Sequence, residues 1–279
     1  MLDPRLLRAF ITVVDAGSFT LAAERLNSTQ STVSQQLARL EEATGAVLIE
    51  RSARPVLPTA VGERLLGYAR RLLALQQEAQ AALGDTAGVA SIRIGVPEDI
   101  MNPAMASVFA GFAARHRGIR LDVVSGLSRE LSRRYRAGDF DIAVVKDYEP
   151  GADCRASFRE PMAWYESADA PDWPNPIPLV TFPPGGLYRD VMFERIEHEQ
   201  RRWYVAFSGS SLSNVLTAVE AGLGVSLLPV GTARQHRLRL HEALGTEAAI
   251  AVSLYSWEGD GPASELVGLM QGVLAARFG

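Results

Sequence analysis

The chain has 279 residues, 47% of them hydrophobic and 22% charged, with a net charge of −4. That size allows two or three domains with cores of their own, and the balance is that of a globular protein, not a disordered or fibrous one. Cys154 is the single cysteine, which excludes an intrachain disulfide and a multi-cysteine metal site. No stretch reaches the roughly 18 uncharged apolar residues that a membrane helix needs, and no charged-then-apolar leader is present. The expectation is a cytoplasmic protein with no membrane partner.

Charge is unevenly divided. Residues 1–72 hold nine Arg against seven acidic residues, a net of +2, which leaves −6 for the remainder. Even the first part is barely basic, so any binding to nucleic acid has to come from positioned contacts and from more than one copy.

Residues 4–16 read as a first helix, with Leu6, Leu7, Phe10, Val13 and Val14 on its inner face. Gly17 suits the end of that helix and Ser18 the cap of the next, which carries Leu21, Ala22 and Leu26. Asn27-Ser28-Thr29 is a turn whose last residue can cap a third helix. There Val33, Leu37 and Leu40 recur at i, i+4 and i+7 as one buried face. The opposite face holds Gln30, Ser31, Ser34, Gln35 and Arg39, with no large apolar residue. Short hydrogen-bonding side chains and one Arg suit the donor and acceptor edges of a DNA major groove. The pattern reads as a helix-turn-helix, or else as a helical hairpin with a solvated polar face.

Residues 46–58 read as a hairpin wing: Val47-Leu48-Ile49 the first strand, Arg51 to Arg54 the tip, Val56-Leu57 the return. Pro58 removes a backbone donor, so pairing at its base is expected to be short. Thr59 caps a long helix to about Leu83, with Leu65, Leu66, Ala69, Leu72, Leu73 and Ala79 as an apolar stripe. A second copy of the helix is the natural cover, and the chain's own second domain the other candidate. Gly84 to Ala90 reads as a hinge. From Ser91 strands alternate with helices: Ile92 to Val96, Met105 to His116, Leu121 to Val124, Ser128 to Ala137 and Phe140 to Val145. This βαβαβ order predicts a parallel sheet. Further strands are expected at Met162 to Tyr165, Leu179 to Phe182, Tyr204 to Phe207, Ser226 to Leu228 and Ala249 to Tyr255. Helices are expected at Leu187 to Gln200, Ser211 to Ala221 and Ala263 to Phe278.

From Phe10 to Gly62 the chain resembles the LysR-type transcriptional regulators. The matching residues include Phe10, Gly17-Ser18-Phe19-Thr20, Ala22-Ala23, Leu26, Gln30-Ser31, Val33-Ser34, Leu37, Leu40-Glu41, Gly45, Arg51, Arg54, Thr59 and Gly62. The resemblance implies a multidomain fold. An all-α winged helix-turn-helix (1–58) is followed by a linker helix and hinge that dimerise (59–87). An α/β effector-binding domain shaped like a periplasmic binding protein then fills 88–279. Its subdomain I is about 91–150 plus 257–279, and its subdomain II about 151–256, with the chain crossing twice between them. The resemblance further implies that Gln30, Ser31 and Gln35 face bases, while Thr20, Ser34, Arg51 and Arg54 hold phosphates, with Arg39 on the same face. The implied partners are double-stranded DNA, a small-molecule effector, RNA polymerase, and further copies of the chain as a homodimer and homotetramer. Ile49 stands where the family usually has Phe. Gln35 replaces a frequent Arg, and since Gln pairs with adenine, an A·T-leaning half-site is expected.

A ligand belongs beyond the carboxyl ends of the strands. That places Glu98 and Asp99, Ser125, Gly126 and Ser128, and Lys146 at the site. From subdomain II come Pro184-Gly185-Gly186 and Ser208-Gly209-Ser210, chiefly Gly185 and Ser208. Glycine- and serine-rich loops before helices aim N–H groups at acceptors. Glu98 and Asp99 leave three readings open: a charge pair at a helix N-terminus, a site for a cationic or donor-bearing ligand, or pairing of one carboxylate with Lys146. No nucleophile elbow, metal-spaced His or phosphate loop occurs, so neither catalysis, cofactor nor metal is expected. A lone Cys154 also argues against a peroxide sensor built on two cysteines. An exported solute-binding protein shares the second fold but not residues 1–58. An architectural DNA binder without a ligand is the remaining alternative.

Overall fold

The computed structural model describes residues 2–84, 90–151, 153–169, 173, 175–257 and 260–279. The predicted hinge at Gly84 to Ala90 falls largely outside them. The chain divides into two compact units: Met1–Ser91 with Gly118–Arg120 and Arg133–Phe140, and Ile92–Arg117, Leu121–Ser132 and Asp141–Gly279.

In the first unit, α1 (Pro4–Ala16), α2 (Phe19–Arg25) and α3 (Gln30–Thr44) start at the predicted caps. Asp3, Ser18 and Thr29 side chains accept from the first-turn N–H groups of Arg5, Leu21 and Thr32. Each such cap contributes about 1 kcal/mol. Gly17 turns the chain at φ +60°, where its carbonyl accepts from Val56 N–H at 2.9 Å. Leu7, Phe10, Val13, Val33, Leu37, Leu40 and Leu48 form one fully buried core.

The wing pairs briefly, as expected from Pro58, and its first strand starts two residues later than predicted. Strands β1 (Ile49–Glu50) and β2 (Leu57–Pro58) pair over only two residues each, Ile49 with Pro58 and Glu50 with Leu57. Leu48 donates its N–H to Glu41 Oε1, so only its carbonyl meets the return strand, at Thr59 N–H, and Val47 O takes the Thr59 hydroxyl. Val56 spends its N–H on Gly17, so it cannot join the ladder on that side.

Helix α4 (Ala60–Gly84) begins under Thr59, whose hydroxyl donates to Val47 O at 2.8 Å and accepts from Gly62 N–H at 3.0 Å. Gly62 sits so close to the hairpin that a Cβ there would lie 2.1 Å from Leu48 O. The helix has two apolar faces, and of the second the predicted stripe included only Leu72. Leu65, Leu66 and Ala69 pack onto the core of α1 to α3. Val61, Tyr68, Leu72 and Leu75 lie on an exposed face instead. Their 7-4-3 spacing is that of a heptad seam.

In the second unit the main sheet runs β10-β6-β11-β5-β3-β4, with β9 also pairing β6. The strands are β3 (Ala90–Val96), β4 (Ile119–Ser125), β5 (Ile142–Asp147), β6 (Ala156–Ser167), β9 (Ser226–Pro229), β10 (Leu238–Leu240) and β11 (Thr246–Ser256). Strands β7 (Ile177–Thr181) and β8 (Trp203–Ser208) form a separate parallel pair. The main sheet is mixed, not parallel throughout. β3 and β5 are parallel, but β11 inserts antiparallel between β5 and β6. The short β10 and the one-turn α9 (Val230–Ala233) went unread because three or four residues show no period. β6 and β11 are the longest strands of the sheet and pair along most of their length. Their ladder is broken by a bulge, where two residues of β11 between Glu247 and Ile250 oppose Pro161 alone.

Helices α5 (Pro103–Arg115), α6 (Ser128–Arg136), α7 (Leu187–His198), α8 (Leu212–Glu220) and α10 (Gly261–Phe278) follow or cover these strands. One core, centred on Trp164, Leu179, Val180, Met192, Val215 and Leu228, holds β6 to β9 with α7 and α8.

Candidate functional site

On α3, burial of Val33, Leu37 and Leu40 turns Gln30, Ser31, Gln35 and Arg39 outward, and all four are exposed. Ser34 lies half-buried between the two faces. Thr20, at the start of α2, donates to Gln30 Oε1 at 3.4 Å, which ties the two helices together at their polar ends. Thr29 and Ser31 hydroxyls meet at 2.9 Å. Arg39 and Arg54 make no ion pair among the described residues, whereas Arg51 is engaged. Its guanidinium lies 3.0 Å from Glu41 Oε2 and 5.7 Å from the Phe19 ring centroid. Glu41 also accepts from Leu48 N–H at 2.9 Å, so it anchors the wing from inside. The surface therefore offers polar side chains with little else to bind, beside one wing Arg that is held and one that is not.

The second unit contains a cleft of about 360 Å³. Six predicted residues meet there: Glu98, Asp99, Ser125, Gly126, Ser128 and Lys146. Gly185 and Ser208 do not line it; their neighbours Gly186, Ser210 and Ser211 do. The offset arises because β8 ends at Ser208 and the chain turns inward only afterwards. Phe182, Leu187, Tyr188 and Leu212 supply an apolar wall that the sequence reading missed. Phe182 and Tyr188 pack edge to face, with centroids 5.3 Å apart.

At the base of the cleft lies a group of four charges. Lys146 Nζ is 2.5 Å from Asp99 Oδ2, 2.7 Å from Glu160 Oε2 and 3.3 Å from Tyr188 Oη. Arg277 Nη2 is 3.2 Å from Asp99 Oδ2 and 3.8 Å from Glu160 Oε1, and Nη1 donates to Asp99 O. Two cations face two carboxylates, so the group is neutral. Glu160 Oε2 meets the ammonium as a close, charge-assisted contact.

Burial disfavours the Lys146 ammonium, but the carboxylates of Asp99 and Glu160 outweigh it and hold the group above the ordinary Lys value. Lys146 is therefore a charged anchor and not a nucleophile. Burial lifts the Glu160 carboxyl above its usual range even with Lys146 beside it. Burial likewise pushes the Tyr188 phenol up, so it stays neutral and accepts from Lys146 Nζ.

Of the three readings of Glu98-Asp99, the dipole pair fails. The two residues occupy a single 3-10 turn, Glu98–Ile100, and the following α5 is capped by Asn102. Asp99 is the carboxylate taken by Lys146. Glu98 remains exposed, with no ion pair among the described residues. Among these residues no group of three His, Cys, Asp or Glu is arranged to hold a metal. No helix of theirs is long and apolar enough to cross a membrane.

Residues 4–63 match the bacterial regulatory helix-turn-helix protein, lysR family, and residues 88–267 the LysR substrate binding domain. The chain belongs to the LysR family of transcriptional regulators. This LysR-type regulator is 31% identical to the HTH-type transcriptional regulator PecT of Dickeya dadantii, over 82% of this chain and 73% of PecT. It is 29% identical to DgdR of Burkholderia cepacia, over 81% of this chain and 78% of DgdR. Among solved structures it resembles ArgP from Mycobacterium tuberculosis, with TM-score 0.61, 24% identity, and coverage of 100% and 98% of the two chains. It is also similar to full-length LysG from Corynebacterium glutamicum with bound effector Arg. That match has TM-score 0.60, 20% identity, and coverage of 97% and 99%. These two likenesses concern the fold.

Proposed function

We propose that this LysR-type regulator reads an interrupted palindrome in promoter DNA and is controlled by a small ligand carrying a positive or donor group. Residues 1–58 act as the DNA-binding module, 59–87 as the dimerising linker and 88–279 as the effector domain. Gln30, Ser31 and Gln35 meet base edges, while Thr20, Ser34, Arg39, Arg51 and Arg54 position the module on phosphates. The observation that carries this reading is the outer face of α3, whose exposed amides and Arg39 have almost no intramolecular use. The exposed seam Val61, Tyr68, Leu72 and Leu75 is covered by the same helix of a second copy, and two dimers assemble on one promoter. Two dimers bend the site, and the ligand alters their contact with RNA polymerase. The chain works in the cytoplasm, performs no catalysis and needs no cofactor.

In the cleft, Asp99 and Lys146 neutralise each other, which leaves Glu98 as the uncompensated charge facing a ligand. The Arg effector in the LysG structure accords with a cationic head group. The apolar wall of Phe182, Leu187 and Leu212 takes the remainder of the ligand.

Two measurements test the reading. Selection of random DNA by the full chain should enrich an inverted repeat with half-sites one helical turn apart or a multiple of it; failure to enrich any sequence overturns the DNA assignment. Thermal unfolding of the full chain with arginine, lysine and agmatine should show stabilisation of about 2.7 kcal/mol at 100 times the dissociation constant. Glu98→Gln should erase it. Stabilisation by organic acids alone, indifferent to Glu98→Gln, overturns the ligand class and leaves the DNA assignment intact.

A further inference from the structure

The cleft is bounded on one side by the start of α6 and the end of β5, and on the other by α7 and α8. The core around Trp164 belongs to the second side. Among the described residues Leu127 is the one apolar residue of 92–150 packed against it.

Two polar contacts join the same sides beside the cleft. Arg129 follows Ser128 on α6, and its Nη2 lies 2.6 Å from Asp190 Oδ2 on α7. Tyr148, just past the carboxyl end of β5, donates its hydroxyl to Leu187 O at 3.0 Å. Ser128 and Leu187 themselves line the cleft. Arg129 and Tyr148 are exposed, so these contacts lie on the solvent side, whereas Lys146 is buried at the base. All four partners belong to the second unit.

The three side chains act on one another. Burial and the Asp190 carboxylate push the Tyr148 phenol up, so it stays a hydroxyl donor, while Arg129 opposes that shift. Each contact is weak by nature: an exposed ion pair is screened by water and salt, and a hydroxyl-to-carbonyl bond is readily exchanged for one to water. The buried charge group at the base has no such exchange open to it.

We infer that Arg129, Tyr148 and Asp190 form a latch across the mouth of the cleft, and that a ligand enters and leaves only when the latch parts. The inference rests on the cleft being the ligand site and is indifferent to the ligand's charge.

Opening can be measured without any ligand. The full chain carrying Cys154→Ser takes spin labels at Gln271→Cys on α10, which packs on α5, and at Glu197→Cys on α7. It is diluted with unlabelled chain, so that only distances within one copy are read. The parent should show one distance population. Asp190→Arg sets two guanidiniums face to face and should add a longer one; Arg129→Asp in the same chain should remove it. The Arg129 and Asp190 side chains are 52% and 43% exposed, so these variants keep the fold.

Access is read separately from Ser128→Cys, a half-buried position of the cleft, by its rate of alkylation with neutral iodoacetamide. The rate should rise severalfold in Asp190→Arg and also in Tyr148→Phe, which changes no charge. It should return to the parent's value when Arg129→Asp accompanies Asp190→Arg. A distance distribution unchanged by Asp190→Arg, a charge-exchanged pair as open as the single variant, or alkylation indifferent to these substitutions each overturns the latch. None of these results bears on the choice of ligand, which the thermal unfolding series decides.

Discussion

The outer face of α3 and the base of the effector cleft are both polar, yet they are built on opposite rules. On α3 the side chains are exposed and nearly unused by the protein, so they are available to another molecule's donors and acceptors. At the cleft base Lys146 and Glu160 are buried, Asp99 and Arg277 half-buried, and every charge is answered by another: Lys146 by Asp99 and Glu160, and Arg277 by the same two carboxylates. The difference follows from solvent. An exposed amide loses little by waiting in water, whereas a buried unpaired charge costs several kcal/mol. A reading surface can afford idle groups. The floor of a pocket must be neutral before any ligand arrives, and selectivity then falls to the one charge left over, Glu98.

The sharpest way to break this contrast is Lys146→Met. It leaves Asp99 and Glu160 with Arg277 alone, one cation against two carboxylates, and should lower the stability of the effector unit by about 3 kcal/mol, read as a lower unfolding midpoint. Adding Glu160→Met should restore part of the loss; a double variant as unstable as the single one would show that the pair is not balanced as described. Gln35→Ala, on the idle surface, should leave the midpoint unchanged. It should cost about 1–3 kcal/mol of discrimination at one base pair, seen as a relaxed position in binding-site selection.

Arg54→Ala should weaken all sequences alike and reduce the salt slope of binding by about one. Arg51→Ala should change the slope less, because Glu41 already holds that guanidinium. Equal slopes for the two variants would refute the distinction. The smallest effect is in pH. Because burial raises the folded-state pKa of Glu160, its contribution to stability is present below the ordinary carboxyl value near 4.5 and is lost as pH rises through the raised value. Glu160→Gln should flatten that part of the stability profile, and an unchanged slope would assign it elsewhere.

Much of this was legible from residues alone where local rules govern. Ser18, Thr29 and Thr59 announced three helix starts, and Val33, Leu37 and Leu40 oriented α3. The alternation after Ser91 yielded nearly every strand, because apolar runs bounded by turn residues carry their own signal. What escaped was set by distant partners. That Asp99 and not Glu98 is consumed depends on Lys146 and Arg277, which lie 47 and 178 positions away. Glu160 looks like any charged residue in a strand; its burial comes from packing against elements far along the chain. That α4 has a packed and an exposed apolar face required knowing where α1 lies. Tyr188 and Leu212 entered the cleft as the first-turn residues of helices whose loops alone had drawn notice.

The bulge in the β6–β11 ladder has a mechanical meaning. Two long paired strands make a stiff beam wherever their hydrogen bonds are regular. At Pro161 the beam loses a donor and gains an extra residue opposite, so its bending stiffness is lowest there. Glu160, the buried carboxylate of the charge group, is the adjacent residue on that strand. The irregularity of the ladder and the buried charge group thus meet at adjacent residues of one strand.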